Sequence, residues 1–427
     1  MTRDAKLLAL LSLAALCAAW LCGVRFADQD LATAWHLLDP QLLRADLLRS
    51  LFYLHAQPPL LNLIVGVVLK VFGAHAPLAL TVLWATCAIA TSLATQGLAT
   101  ELGAPRWAAF AAGAFVAVAP ATLLYVHHVG PEIATAAALT GSALFLARGA
   151  RWKAFSLLGV ACGLRSLLAP PLVLVALLAA GKRARLPALV VFAVLALLAV
   201  KNGLVAGTFS TSSWLGMNFA RVTVARLAPA QRARLSPAAQ PPPFGAVGEY
   251  AALIPVAPTG VPVLDEPRKG SGANNYNHLV YARAGRMLLR DDLQAIALAP
   301  TAVLSGWGVA WLQFFRPSDE WPFLAENRQH IERWAQLWDR AVDLEVPLPV
   351  LVLGQTEIYL TLLAGFTAVF AAAALSARNG PALWYSLLLI GWVAIVGNTF
   401  DVGENYRFRF VVEPVWIALA ASLARRA

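Results

Sequence analysis

Residues 25–60 read RFADQDLATAWHLLDPQLLRADLLRSLFYLHAQPPL, and the reading of the whole chain turns on this stretch. It follows directly on an apolar run at 7–24, carries Asp28, Asp30 and Asp39 close together with Asp46 just beyond, and closes on the polar cluster His55, Ala56, Gln57, Pro58, Pro59. Acid at the mouth of a membrane helix is costly, so a chain with few charges keeps it there for a task. Further along, Leu43, Leu47, Leu51 and Leu54 share one helical face while Arg44, Asp46, Arg49 and Ser50 point elsewhere. That spacing predicts one amphipathic helix lying on a membrane surface.

Outside this stretch the chain is overwhelmingly apolar. Of 427 residues, 59% are hydrophobic and 13% charged, which excludes a water-soluble globular protein. Apolar runs of membrane-spanning length recur, predicting an all-α, polytopic helical membrane protein. Strands are not expected, because an open sheet edge stays unsatisfied in lipid. The net charge of +10 does not point to nucleic acid, since Arg and Lys gather at the ends of apolar runs. There they orient the spans and meet anionic lipid headgroups. Cys17, Cys22, Cys87 and Cys162 all fall inside apolar runs, so neither a disulfide framework nor a zinc site is indicated. Arg3 and Lys6 precede the run 7–24, which is long for a signal peptide and reads as an uncleaved first span.

Charge placement orders the rest. Arg106, RGARWK at 148–153 and KRAR at 182–185 can share the cytoplasmic side only on two conditions. The piece 58–74 must not cross, and 154–181 must be a hairpin of two short helices turning near Arg165. Spans then fall at 7–24, 77–98, 107–125, 132–147, 154–166, 168–181, 187–205, 356–376, 383–400 and 408–424. This gives about ten transmembrane helices, or about twelve if 58–74 and 294–315 also cross, with both ends cytoplasmic. The chain divides into an N-terminal transmembrane module (1–205) that includes a first extracytoplasmic loop (25–76) with juxtamembrane helices, an extracytoplasmic region (206–355) and C-terminal helices (356–427). His127, His128, Glu132 and Arg165 come to the same outer side as the first loop. PAAQPPPFGAV and GSGANNYN read as loop with little core of its own. Beyond Ile331, Trp334, Ala335 and Trp338 keep the spacing of an interfacial helix.

The order of motifs resembles the GT-C membrane glycosyltransferases. An Asp-containing loop follows span one; Gln57 precedes Pro58-Pro59-Leu60; Glu132 follows a Pro-containing span; then come Gly163-Leu164-Arg165 and Pro170-Pro171. The closing ENYRFRFVVEPVW, 404–416, is similar to the ending of bacterial members of that class. The resemblance covers most of the chain through short motifs, and the class includes protein O-mannosyltransferases and aminoarabinose transferases. It implies a polyprenyl-phosphate sugar donor, a glycan, lipid or protein acceptor, and an active site on the extracytoplasmic face of a bacterial inner membrane. It also implies a catalytic first-loop aspartate. Asp28-Gln29-Asp30 stands where the usual Asp-Glu pair would be, so Asp28 is the preferred candidate and Asp30 the alternate. The Lys or His that members carry beside Pro-Pro is here Gln57, with His55 two residues earlier.

Such a transfer needs a carboxylate to take the acceptor's proton, cations for the departing phosphate, and an apolar groove for the lipid tail. Asp28 or Asp30 fits the first need. Arg165, Arg407 and Arg409 fit the second, with His55, Gln57, Glu132, Glu404 and Tyr406 as further substrate-binding candidates. A divalent metal held by Asp28, Glu132 and a histidine is the open alternative on cofactors. Plainer readings stand beside these: Asp28 and Asp30 solvating a helix end, Glu132 complementing a helix dipole, Glu404 with Arg407 or Arg409 a structural ion pair, Asn218 a polar loop contact. Arg165, inside an apolar run, must face water, a partner or a phosphate. The competing functions are an O-antigen-type polysaccharide ligase or polymerase and a non-enzymatic lipid or sugar transporter.

Overall fold

The computed structural model describes residues 2–343, 345–347, 357–359, 365–367, 369–371 and 380–424. The architecture is helical, as the apolar periodicity predicts. Strand structure among the described residues is confined to an isolated bridge between Arg268 and Asn274 and one short antiparallel pair. That pair, β1 (Glu345–Pro347) and β2 (Glu357–Tyr359), sets Val346 opposite Ile358.

Helix α1 (Arg3–Leu21) leads into the first loop, which carries α2 (Asp30–Thr33), α3 (Pro40–Ala45) and α4 (Leu47–Tyr53). After it come α5 (Leu60–Phe72), α6 (Ala76–Glu101), α7 (Arg106–Val118), α8 (Pro120–Tyr125), α9 (Glu132–Ala147), α10 (Arg151–Leu164), α11 (Pro170–Ala180) and α12 (Arg185–Ala206). Among the described residues four helical segments are long and apolar enough to cross a membrane: Arg3–Leu21, Leu60–Glu101, Lys182–Ala206 and Pro381–Phe400. Their flanks leave Leu10, Leu78, Leu197, Leu204 and Ile395 exposed, a distribution that suits lipid and not water. Other expected spans are built from shorter apolar helices, and at two of them proline sets the break. The span expected at 107–125 splits at Ala119, whose backbone is extended because Pro120 follows. The hairpin expected at 154–181 is present: α10 ends at Leu164, Arg165 is extended, and α11 opens on Pro170.

Two readings of the loops change. The single surface helix expected over 43–54 is two short ones. Asp46 interrupts it and caps α4, its Oδ1 accepting from Arg49 N at 3.3 Å, and Ser50 is buried with its hydroxyl on Leu42 O. The region after 206 has a core of its own, formed by Met217, Val224, Tyr250, Tyr281 and Leu288. It is carried by α13 (Leu215–Val222), α14 (Pro229–Arg232), α15 (Val247–Leu253), α16 (Pro262–Asp265) and α17 (Leu279–Leu298). The apolar piece at 294–315 straddles α17 and α18 (Pro300–Phe314), which bend by 111° where Pro300 forces Ala299 out of helix.

Next come α19 (Ala325–His330) and α20 (Glu332–Trp338), the latter where the Trp spacing predicts it. Trp334 Nε1 donates to Val118 O at 2.9 Å and Trp338 packs on Phe115, which ties α20 to the end of α7. The span expected at 356–376 falls mostly outside the described residues. The chain closes with α21 (Pro381–Phe400), α22 (Asn405–Phe410) and α23 (Glu413–Leu423). The main core runs through α6, α9, α10 and α21, with Trp84, Leu139, Phe155 and Tyr385 at its centre.

Candidate active site

Glu132 is the point on which the site converges. It opens α9 behind Gly130-Pro131 and is fully buried, although a carboxylate in an apolar core is sustained only by paired charge. Gly130 makes this placement feasible: a Cβ there would lie 2.0 Å from Glu132 Oε2. Two guanidiniums supply the pairing. Arg165, set in the extended turn between α10 and α11, donates from Nη1 to Oε1 at 3.1 Å. Arg407, on α22, donates to the same oxygen from Nε at 3.1 Å and also from Nη2, while its Nη1 holds Glu404. Aromatic faces complete the setting. The Arg407 guanidinium lies 3.7 Å from the Trp321 ring centre and 5.6 Å from that of Trp35, and Arg165 lies 4.9 Å from Phe408. Two cations are thus fixed in orientation by two carboxylates, so the cluster is neutral and rigid.

The first loop reaches this cluster through histidine. Ala27 N donates to His127 O at 3.0 Å, which docks the loop on the segment before α9. Asp30 is buried, and its Oδ2 lies 2.7 Å from His128 Nδ1, while His128 Nε2 is buried without a partner. The His128 ring stands edge-on to Trp321 at 4.6 Å, so the Asp30–His128 pair and Arg407 flank one indole. His36 lies 6.4 Å from His128, centre to centre, with Nε2 on Val129 O at 2.8 Å. Burial pushes the His36 imidazole down to about 3, so it is neutral near pH 7. Asp28, by contrast, is exposed.

A cavity of about 540 Å³ opens beside the cluster. Of the residues singled out in the sequence, Gln57, Arg165, Glu404 and Arg407 line it, and Asn218 does too. Asp28, Asp30, His55, Glu132, Tyr406 and Arg409 are not part of its lining. His55 is fully buried, its Nδ1 2.8 Å from Ser213 Oγ and its main-chain N donating to Asn277 Oδ1 at 2.8 Å. Tyr406 O accepts from Ser318 Oγ at 3.1 Å, and Arg409 Nη2 donates to the same hydroxyl at 3.1 Å while its Nε faces Glu413 at 3.5 Å. The metal set of Asp28, Glu132 and a histidine is not assembled: Asp28 is exposed, whereas Glu132 is fully buried with its Oε1 on two arginines. No group of three or more His, Cys, Asp or Glu side chains is gathered for a metal among the described residues.

The structure adds residues that the sequence reading passed over. His36, Trp35 and Trp321 owe their places to contacts between segments distant in sequence. Arg221 lines the cavity and donates to Asp401 Oδ1 at 2.9 Å. It crowds Gly403 so closely that a Cβ there would lie 2.2 Å from Arg221 Nη2. The GSGANNYN segment, read as plain loop, is a latch: Asn277 Oδ1 accepts from both His55 N and Ala56 N, and its Nδ2 donates to Tyr53 O at 3.1 Å. An Asn in a polar run was the available signal, but its partner lies more than 200 residues away.

No protein-family model matches this chain, and no curated protein matches it. Solved structures to which it is similar include three of the Archaeoglobus fulgidus oligosaccharyltransferase. They are the apo form (15% identity, TM-score 0.39), a complex with Zn and sulfate (12%, 0.39), and a form tethered by a disulfide bond to an acceptor peptide containing the NVT sequon (13%, 0.38). The alignments cover 97%, 99% and 97% of this chain, which spans about half the length of the solved chains it matches.

Proposed function

We propose that this protein is an integral-membrane glycosyltransferase of GT-C type that moves a sugar from a polyprenyl-phosphate donor to an acceptor at the extracytoplasmic face. The observation that carries this reading is the pair of guanidiniums, Arg165 and Arg407, fixed on Glu132 at the wall of an aromatic-lined cavity. Arg165 commits only Nη1 to Glu132 in a described bond, and a guanidinium presents further N–H groups in a fixed fork that matches phosphate oxygens. As the glycosidic bond to the phosphate breaks, negative charge collects on the leaving oxygens. Donors already oriented toward that position stabilise it without reorganisation.

The acceptor hydroxyl must lose its proton as it attacks the anomeric carbon. Asp30, buried and hydrogen-bonded to His128, is the base we assign over the exposed Asp28. A carboxylate held by a neighbouring side chain keeps one geometry, which proton transfer requires. The test is to incubate the purified full chain with a panel of polyprenyl-phosphate sugars and measure release of free polyprenyl phosphate, with Asp30→Asn and Arg407→Lys as controls. Release that both variants abolish supports the reading. Release that neither variant affects, or no release from any donor, overturns it.

A further inference from the structure

The wall of the cavity away from the arginine cluster is built in an unusual way. Phe244 is the one non-glycine residue with a positive φ, +61°, among the described residues. It occupies the third position of a turn closed by Gly245 N donating to Pro242 O at 2.8 Å, with Pro243 before it. Proline at the second position and a positive φ at the third define a turn whose third residue is ordinarily glycine or asparagine. A bulky residue in that conformation is strained, and such strain marks places where the side chain is wanted. Here the ring goes into the cavity wall, packed edge to face with Trp214 at 5.2 Å and Tyr276 at 5.9 Å. Trp214 and Tyr276 also line the cavity and meet each other at 6.0 Å. Main-chain bonds lock the trio: Trp214 Nε1 donates to Tyr276 O at 3.3 Å, and Tyr276 Oη donates to Phe244 O at 3.4 Å.

Two amides share this cavity. Gln57 and Asn218 both line it, both are half-buried, and neither side chain has a hydrogen-bond partner among the described residues. The backbone around Gln57 is nonetheless held firmly. Ala56 N donates to Asn277 Oδ1 at 3.0 Å and Ala56 O accepts from Ser212 Oγ at 2.5 Å. Asn218 is fixed by its helix, α13. A rigid aromatic wall with free amides on a rigid backbone is a receptor for a ligand that is apolar on one face and hydroxylated at its edge.

We infer that Trp214, Phe244 and Tyr276, with the amides of Gln57 and Asn218, form a subsite that binds a pyranose ring. The C–H groups of a sugar's apolar face carry partial positive charge and meet the negative π faces, and its hydroxyls exchange hydrogen bonds with the amides. An alkyl chain would satisfy the wall but leave both amides desolvated and unpaired, at a cost that a sugar avoids. The inference rests on the proposed sugar-transfer function for its purpose but not for its test. The sugar has two potential sources, the donor's transferred residue and the acceptor's own glycan.

Binding of methyl hexopyranosides to the detergent-purified full chain is read by saturation-transfer NMR, with no turnover required. At least one glycoside is expected to bind through its ring C–H protons, and Asn218→Ala and Gln57→Ala each to weaken it about tenfold. Phe244→Gly is the decisive variant, because glycine accepts the positive φ and the turn survives while the ring is lost. It too is expected to weaken the glycoside, while thermal-shift affinity for sugar-free polyprenyl phosphate stays unchanged. Displacement of the glycoside by a polyprenyl-phosphate sugar, and not by sugar-free polyprenyl phosphate, assigns the subsite to the donor. Simultaneous binding of glycoside and polyprenyl-phosphate sugar assigns it to the acceptor. The inference is overturned if no glycoside binds, or if Phe244→Gly and Asn218→Ala weaken polyprenyl phosphate and leave the glycoside untouched. Glycoside binding without any sugar transfer would leave the subsite standing and remove the transferase.

Discussion

Glu132→Gln isolates what the buried cluster is for. The substitution preserves shape and leaves a neutral acceptor, so packing is retained while Arg165 and Arg407 lose the anion they share. Glu404 alone then faces two buried guanidiniums. Removing one partner of a buried ion pair costs about 3–5 kcal/mol, and the surviving amide oxygen puts this case at the low end, about 3 kcal/mol. For a chain of 427 residues that corresponds to a fall of about 3 °C in the thermal midpoint. If the cluster is also the phosphate site, the vacated charge is replaceable. Inorganic phosphate at about one hundred times its dissociation constant returns about 2.7 kcal/mol to the variant. The assay is a thermal melt of the purified chain with and without phosphate, beside Glu413→Gln as the control. Glu413 faces Arg409 outside the cavity, so that variant is destabilised without rescue. A Glu132→Gln protein that melts with the wild type, or one that phosphate stabilises no more than Glu413→Gln, would refute the reasoning.

Three further outcomes are expected. Asp30→Asn lowers sugar transfer by about 10²–10⁴-fold while Asp28→Asn stays near wild type, as measured by release of polyprenyl phosphate. Asn277→Ala orphans the main-chain N–H groups of His55 and Ala56, at about 1–3 kcal/mol for each buried group left unmatched, and thermal melts with limited proteolysis of the 53–57 segment report the loss. Acid destabilises the fold through its buried histidines. Burial lowers His36 and His55 to about 3, well below their unfolded value, so the native state favours the neutral rings. The stability they contribute is fully present above about pH 6.5 and is lost as pH falls toward 3. Melting midpoints taken from pH 7 to pH 4 should decline, and His36→Asn should flatten that decline.

How far the sequence reveals this fold depends on whether a feature is local. Apolar run lengths and punctuating prolines are local, so the helices at 76–101, 132–147 and 185–206 fall within a few residues of where the pattern puts them. The turn at Arg165 is legible for the same reason, since a lone charge and a following Pro-Pro interrupt an apolar run. The split at Asp46 was written there too. A short acid with a free Oδ1 competes for the helix as a cap, and leucine periodicity alone conceals that choice. What could not be read were partners. Asp30 and Asp28 differ by two positions, and only His128, brought in by the Ala27–His127 contact, separates a buried acid from an exposed one.

The arginines of ENYRFRF show the same limit and also how far helical geometry alone can go. The charge rule leaves residues 403–409 on the outer side, which by itself offers Arg407 and Arg409 equally to a phosphate. As α22, the segment cannot, because side chains two positions apart on an α-helix diverge by about 200°. Arg407 faces Glu132 and the cavity, so Arg409 must face away, and it meets Ser318 and, one turn along, Glu413. The Glu413 that completes that pair is four residues on and opens α23, across the turn that follows α22. The consequence is a direct comparison. Arg409→Lys should lower the melting midpoint and spare the affinity for polyprenyl phosphate, whereas Arg407→Lys should lose that affinity because an ammonium cannot span Glu132 and a phosphate together. Equal loss of affinity in both variants would mean that α22 does not present its two arginines to opposite sides.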